Sequence, residues 1–193
     1  ESPCRLDIDL RAWGGEHSAR ARITNHHTNL VYLERDGEVL RELPVVDAAE
    51  EHMTDKSCLN VEDILRFADT VPLEKVEDVL IRQVELNSAI AEEGLRGAWG
   101  AQIGRILMED YGSDLKQQAK AYAAAGSDAR MSGCELPVVI VSGSGNQGMT
   151  ASLPVIVYAL DMHASREQLL RALCVSNLIT IHQKTPIGRL SAF

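Results

Sequence analysis

Residues 4–11 alternate without a break, Cys4, Leu6, Ile8 and Leu10 against Arg5, Asp7, Asp9 and Arg11, and from Asn60 onward that period of two gives way to one near 3.6. The chain must therefore build a sheet first and helices afterwards. The alternation predicts a strand with one wet face. Gly14-Gly15 predicts a turn after it; Ala19, Ala21 and Ile23 then alternate with Arg20, Arg22 and Thr24, and Asp36-Gly37 joins residues 30–34 to 38–40 as a hairpin. Three or four antiparallel strands result. Residues 47–57 are acidic and aperiodic, which suits a linker.

Beyond Asn60, a predicted cap, Val61, Ile64, Leu65, Ala68 and Val71 fall on one helical face that Pro72 terminates. A second helix from about Leu73 should bury Val76, Leu80, Val84 and Ile90 and break within 94–97, before the helical pattern resumes over 98–111. Residues 114–125 are rich in Ala and Gln and strongly helical by propensity. Segments 149–162 and 165–182 are apolar around much of their circumference, as in helices buried in a bundle, with Pro154 placed in the first turn of the former. The expectation is an α+β chain: an antiparallel β subdomain over 1–47, a linker over 48–59, and a mostly helical domain over 60–193.

Composition narrows the function classes. A chain of 193 residues with 45% apolar content is long enough for a real core, and its formal charge of −9, without any Lys/Arg cluster, argues against binding to nucleic acid or anionic membranes. No apolar stretch is long enough to span a bilayer and no signal sequence is evident, so the expected location is cytoplasmic. Cys4, Cys58, Cys134 and Cys174 are scattered without a C-x-x-C pair, so their spacing carries no metal site, and Cys174 between Leu173 and Val175 reads as a small buried hydrophobe. His26-His27 invites a metal reading, but neighbours on a strand point to opposite faces, which argues against chelation by both.

The most chemically suggestive stretch is 142–148, Ser142-Gly143-Ser144-Gly145-Asn146-Gln147-Gly148, set between two apolar runs. It is not a P-loop, since no Lys-Ser or Lys-Thr pair follows, and it lacks the full order of a dinucleotide fingerprint. Its glycines let a ligand approach the main chain, a following helix would offer unpaired N–H groups to an anion, and Asn146 and Gln147 supply neutral amides suited to an amino acid. The same residues also read as a plain tight turn into a helix that Ser or Asn caps.

Taken together, residues 127–131 (Ser-Asp-Ala-Arg-Met), Leu136-Pro137, the 142–148 loop and residues 187–192 (Ile-Gly-Arg-Leu-Ser-Ala) resemble the serine dehydratase alpha-chain superfamily, and within it the L-cysteine desulfidase-like branch catalogued as an uncharacterised protein family. His27-Thr28-Asn29 and residues 94–100 (Gly-Leu-Arg-Gly-Ala-Trp-Gly) resemble motifs of that branch, in the right order, although Asn25 and His26 stand where it usually shows two glycines. The resemblance implies an oxygen-sensitive lyase that uses a 4Fe-4S cluster to convert L-cysteine or L-serine to pyruvate and ammonia, with release of sulfide or water. The family's cluster cysteines and its proposed catalytic base would fall outside these 193 residues. The chain is thus expected to be the central part of a longer enzyme, inactive alone and without a metal of its own.

What the resemblance carries over is substrate binding, by Ser142, Ser144, Gly145, Asn146, Gln147 and Gly148, with His27, Thr28 and Asn29 as a second polar wall. Arg130 and Arg189 are the candidate carboxylate clamps, with pairing to Asp128 or to a helix carbonyl as the structural alternative for Arg130. Lys184 and Arg189 read as solvated or cluster-supporting charges, and Trp99 as a packing anchor. A non-catalytic amino-acid or anion-binding module and a scaffold whose loop merely caps a helix remain the alternatives. If the last helix packs under residues beyond Phe193, its apolar surface should drive assembly into a homo-oligomer.

Overall fold

The computed structural model describes residues 4, 6–26, 28–45, 54–112 and 114–187. His27, residues 48–53 of the expected linker, Arg189 and the rest of the motif from Gly188 onward lie outside the described residues. A four-stranded antiparallel sheet is followed by six helices, so the fold is α+β as the change of period predicts. The chain forms two compact units, Glu1–Asp55 and Lys56–Phe193.

In the first unit, β1 (Asp7–Gly14), β2 (His17–Thr24), β3 (Leu30–Arg35) and β4 (Glu38–Glu42) pair in sequence order. Register places Asp9 opposite Arg22 and Arg11 opposite Arg20 on one face, and Ile8 opposite Ile23 and Leu10 opposite Ala21 on the other. The charged face is laced by two forked pairs, Arg22 to Asp7 and Arg20 to Asp9. Arg20 also lies over the Tyr32 ring at 4.9 Å. The apolar face is less covered than strict alternation implies: Leu10 is 63% exposed. His26 lies in the turn after β2 rather than on a strand.

The second unit holds α1 (Val61–Thr70), a single 3₁₀ turn (Leu73–Lys75), α2 (Glu77–Arg96), α3 (Ile103–Tyr111), α4 (Leu115–Met131), α5 (Gly145–Asp161) and α6 (Arg166–Lys184). Asn60 caps α1 by accepting from the Asp63 N–H, as its sequence position predicts. The core gathers Leu80, Ile90 and Ala91 of α2, Ala129 of α4, Met149, Leu153 and Ile156 of α5, and Leu170 and Leu173 of α6.

The helical unit departs from the sequence reading at four places, the first being the helix expected over 98–111, which begins only at Ile103 after a non-helical stretch over 98–102. The helix expected to end at Ala125 runs on to Met131, because Gly126-Ser127-Asp128 carry no breaker strong enough to oppose the packing of Ala125 and Ala129, both essentially inaccessible. Helix α5 begins at Gly145 rather than Met149, so residues 145–148 of the glycine-rich run are helix and Pro154 is interior to it. Lys184 is buried, at 3% exposure, which overturns the solvated half of the expectation of a solvated or cluster-supporting charge.

Candidate anion site at the start of helix α5

The seven residues 142–148 resolve into three local devices. Ser142 and Gly143 both take positive φ, 49° and 84°, and the N–H groups of Val141 and Ser144 each donate to the other residue's carbonyl at 3.1 Å. That is a two-residue hairpin turn of the primed type. Ser144 then caps α5, its hydroxyl accepting from the Gln147 N–H at 3.4 Å. Finally, Gly148 packs directly on the Val139 carbonyl, which a side chain would overlap.

Gly145 and Asn146 are the first two helical residues, and N–H groups in the first turn have no acceptor within their own helix. A 17-residue helix therefore directs its positive end at this turn. Over it lies Arg130, in the last turn of α4. A Cβ on Gly145 would come within 2.9 Å of the Arg130 Cζ, and Arg130 Nη1 donates to Asn146 Oδ1 at 3.1 Å. Neither structural alternative for this arginine is seen among the described residues. Asp128 Oδ2 instead accepts from the Ile103 N–H at 2.7 Å, at the start of α3, and Arg130 makes no ion pair among the described residues.

The electrostatics follow from position. The carbonyl end of α4 favours the guanidinium, whereas the amide end of α5 repels it. A small anion between them removes the repulsion and gains a forked donor plus backbone N–H groups. Carboxylates and phosphates meet that description, and the neutral amide of Asn146 adds an orienting group.

The remaining sequence candidates have local roles within their own units. Thr28 and Asn29 sit in the β2–β3 turn of the first unit, where Asn29 Nδ2 donates to the Thr24 carbonyl at 3.0 Å. Trp99 packs against the core, its indole N–H on Glu93 at 3.1 Å, and the same carboxylate pairs with Arg96. Those contacts hold the Glu93 carboxyl below its usual range, chiefly through the Arg96 hydrogen bond and then through Trp99. Beside the hairpin turn, a cleft of roughly 350 Å³ is lined by Gln83, Val139, Val141, Ser142, Cys174 and Asn177. Gln83 and Asn177 close it with reciprocal amide bonds of 3.1 and 2.7 Å.

Sequence reading missed Asn87 and Ser152, both wholly buried next to the loop. Their signal was present: Gln83 and Asn87 occupy the stripe of α2 that also carries Leu80, Ile90 and Ala91, and polar residues on a buried stripe must have partners.

The α+β chain thus sets a hairpin turn against a helix terminus covered by an arginine, which brings a guanidinium and first-turn N–H groups together. The chain belongs to the serine dehydratase alpha chain family, whose model matches residues 19–193. Among its relatives are UPF0597 proteins of Desulfitobacterium hafniense, 52% identical over the whole chain and 45% of the relative, and of Lachnoclostridium phytofermentans, 49% identical over 98% of the chain and 45% of the relative. A third, from Treponema denticola, is 44% identical over the whole chain and 46% of its own length. The chain spans a little under half the length of these curated relatives. No solved structure matches it. No helix among the described residues is long and apolar enough to cross a membrane.

Proposed function

We propose that this chain forms the amino-acid-binding part of a lyase acting on L-cysteine or L-serine, giving pyruvate and ammonia with sulfide or water. One observation carries the reading: Arg130, without a carboxylate of its own among the described residues, is bonded to Asn146 and laid over Gly145 at the start of α5. In this reading the substrate carboxylate lies between the Arg130 guanidinium and the N–H groups of Gly145 and Asn146, and Asn146 orients the α-amino group. Ser142, Ser144, Gln147 and Gly148 act through the backbone they shape, as turn, cap and close-packed first turn. The role of His27, Thr28 and Asn29 as a second wall rests on the motif resemblance alone.

Membership in the serine dehydratase alpha chain family supports the lyase class. A 4Fe-4S cluster, the group this family implies, would activate the leaving thiol or hydroxyl. The described residues do not fit it: no three of His, Cys, Asp and Glu among them come together as a ligand set. The cluster is therefore assigned to the remainder of the longer protein, and no step at the α5 site runs through it. The α-proton's base is likewise assigned outside this chain.

Calorimetry with the L and D forms of cysteine and serine, and with acetate, tests the binding step. Stereoselective binding supports an amino-acid site, whereas equal affinity for every anion reduces it to a generic anion nest. Anaerobic iron-sulfur reconstitution of the intact protein, followed by a pyruvate assay, tests the chemistry. A protein that stays colourless and inactive sinks the lyase reading.

A further inference from the structure

The residue preceding the loop by three, Val139, lies in an extended segment that has no strand beside it among the described residues, yet both of its backbone polar groups are paired. The partner is one side chain. Asn87 Oδ1 accepts from the Val139 N–H at 2.8 Å, and Asn87 Nδ2 donates to the Val139 carbonyl at 3.3 Å. A single amide thus pairs Val139 as a neighbouring strand would. The second Nδ2 proton goes to Ser152 Oγ at 3.0 Å, and the Ser152 hydroxyl donates to the Gly148 carbonyl at 2.7 Å.

Asn87 therefore grips both ends of the loop, directly at Val139 before it and through Ser152 at Gly148 after it. Every donor of the amide is used, so its orientation is fixed. Asn87 and Ser152 are both at 0% exposure, and no water reaches them to replace a lost bond. An apolar residue of similar size would fill the space but leave the Val139 N–H and carbonyl without partners, and the segment would have to move to find them.

We propose that Asn87 is the positioning residue of the α5 anion site, holding the hairpin turn and the first helical turn in the register that aims the Gly145 and Asn146 N–H groups at ligand. The proposal rests on the reading of that helix start as the substrate site. It assigns Asn87 no contact with substrate. Gln83 is the internal control: it lies one turn earlier on the same buried stripe, 1% exposed, but its hydrogen bonds run to Asn177 on α6.

The test compares Asn87→Leu, Asn87→Asp, Gln83→Leu and Gln83→Glu in the intact protein, by hydrogen exchange over residues 144–149 without ligand, L-serine and L-cysteine calorimetry, and thermal midpoint. Asn87→Leu should speed exchange in that window and weaken binding by about tenfold each, while Gln83→Leu changes either by less than about threefold even where its midpoint falls as far. Asn87→Asp should resemble the leucine variant at neutral pH and regain protection toward about pH 5, because a protonated carboxyl donates again. Gln83→Glu should show no such response in this window. Unchanged exchange in Asn87→Leu, or an equal change in Gln83→Leu, overturns the proposal. Should Asn87→Leu not fold, Asn87→Asp decides, and a flat pH response counts against the idea. If the wild-type protein binds neither amino acid, the substrate reading fails by itself, and the exchange comparison alone judges whether Asn87 positions the loop.

Discussion

Gly148 in the first turn of α5 packs face to face with the carbonyl oxygen of Val139, leaving no room for a Cβ between helix and extended segment. The approach is backbone on backbone, so no side-chain rotation can relieve an added methyl group. Gly148→Ala should therefore destabilise the second unit by about 1–3 kcal/mol, despite alanine's better helix propensity. Urea unfolding measures it. A neutral or stabilising result would mean that the segment yields freely and that the loop is not rigidly seated.

Arg130 is exposed and makes no ion pair among the described residues, so its loss should cost little stability. Its expected contribution is to ligand. Arg130→Ala should lower affinity for L-serine and L-cysteine by about 10- to 100-fold, the worth of hydrogen bonds to a charged group, with a thermal midpoint near wild type. Arg130→Lys should recover part of that affinity, because a lysine supplies charge without the fork. Calorimetry and a melting curve on each variant check both halves of the prediction.

The split between sheet and helices was legible because periods of two and 3.6 are both strong signals, and the Asn60 cap was legible because asparagine before an apolar helical face has a local reason to be there. The start of α5 was not. Gly145, Asn146 and Gly148 are poor helix formers, and only the Ser144 cap together with the packing of Gly148 on Val139 makes them helical. Arg130 was legible as a candidate carboxylate clamp, but its place over Gly145 was not, because that depends on α4 running a turn and a half past its alanine-rich part. Asn87 was hidden differently: its partners lie 52 and 65 residues away, and nothing local to α2 names them.

On the charged face of the sheet, the Arg20 hydrogen bond holds the Asp9 carboxyl below its ordinary value of 3.8, with the charges of Arg20, Arg11 and Arg22 adding to it and desolvation opposing it. A depressed carboxyl contributes stability that is present above its unfolded value and disappears as pH falls through the folded one. Acid weakening by this pair should therefore set in as pH falls through the ordinary aspartate range and run on below it. A carboxyl titration followed by NMR should show Asp9 moving up in Arg20→Gln. An unmoved Asp9 would mean that the forked pair does not persist in solution.

Cys174 presents the opposite sign. It is 5% exposed on α6 beside the Gln83–Asn177 pair, and burial pushes its thiol above the ordinary value of 9.0, with Arg171 opposing weakly. A thiol with a raised folded value favours the folded state only while it stays protonated. Its contribution is intact below the unfolded value of about 8.5 and is lost as pH rises toward the folded one. Unfolding in urea should therefore grow easier as pH rises above about 8.5, and more steeply in the wild-type protein than in Cys174→Ala, once the alanine's own constant cavity penalty is subtracted. The folded thiol should also resist alkylation at neutral pH and react once urea unfolds the chain. Parallel pH slopes for the two proteins, or rapid alkylation without urea, would place Cys174 in contact with water and open the cleft that it lines beside Ser142.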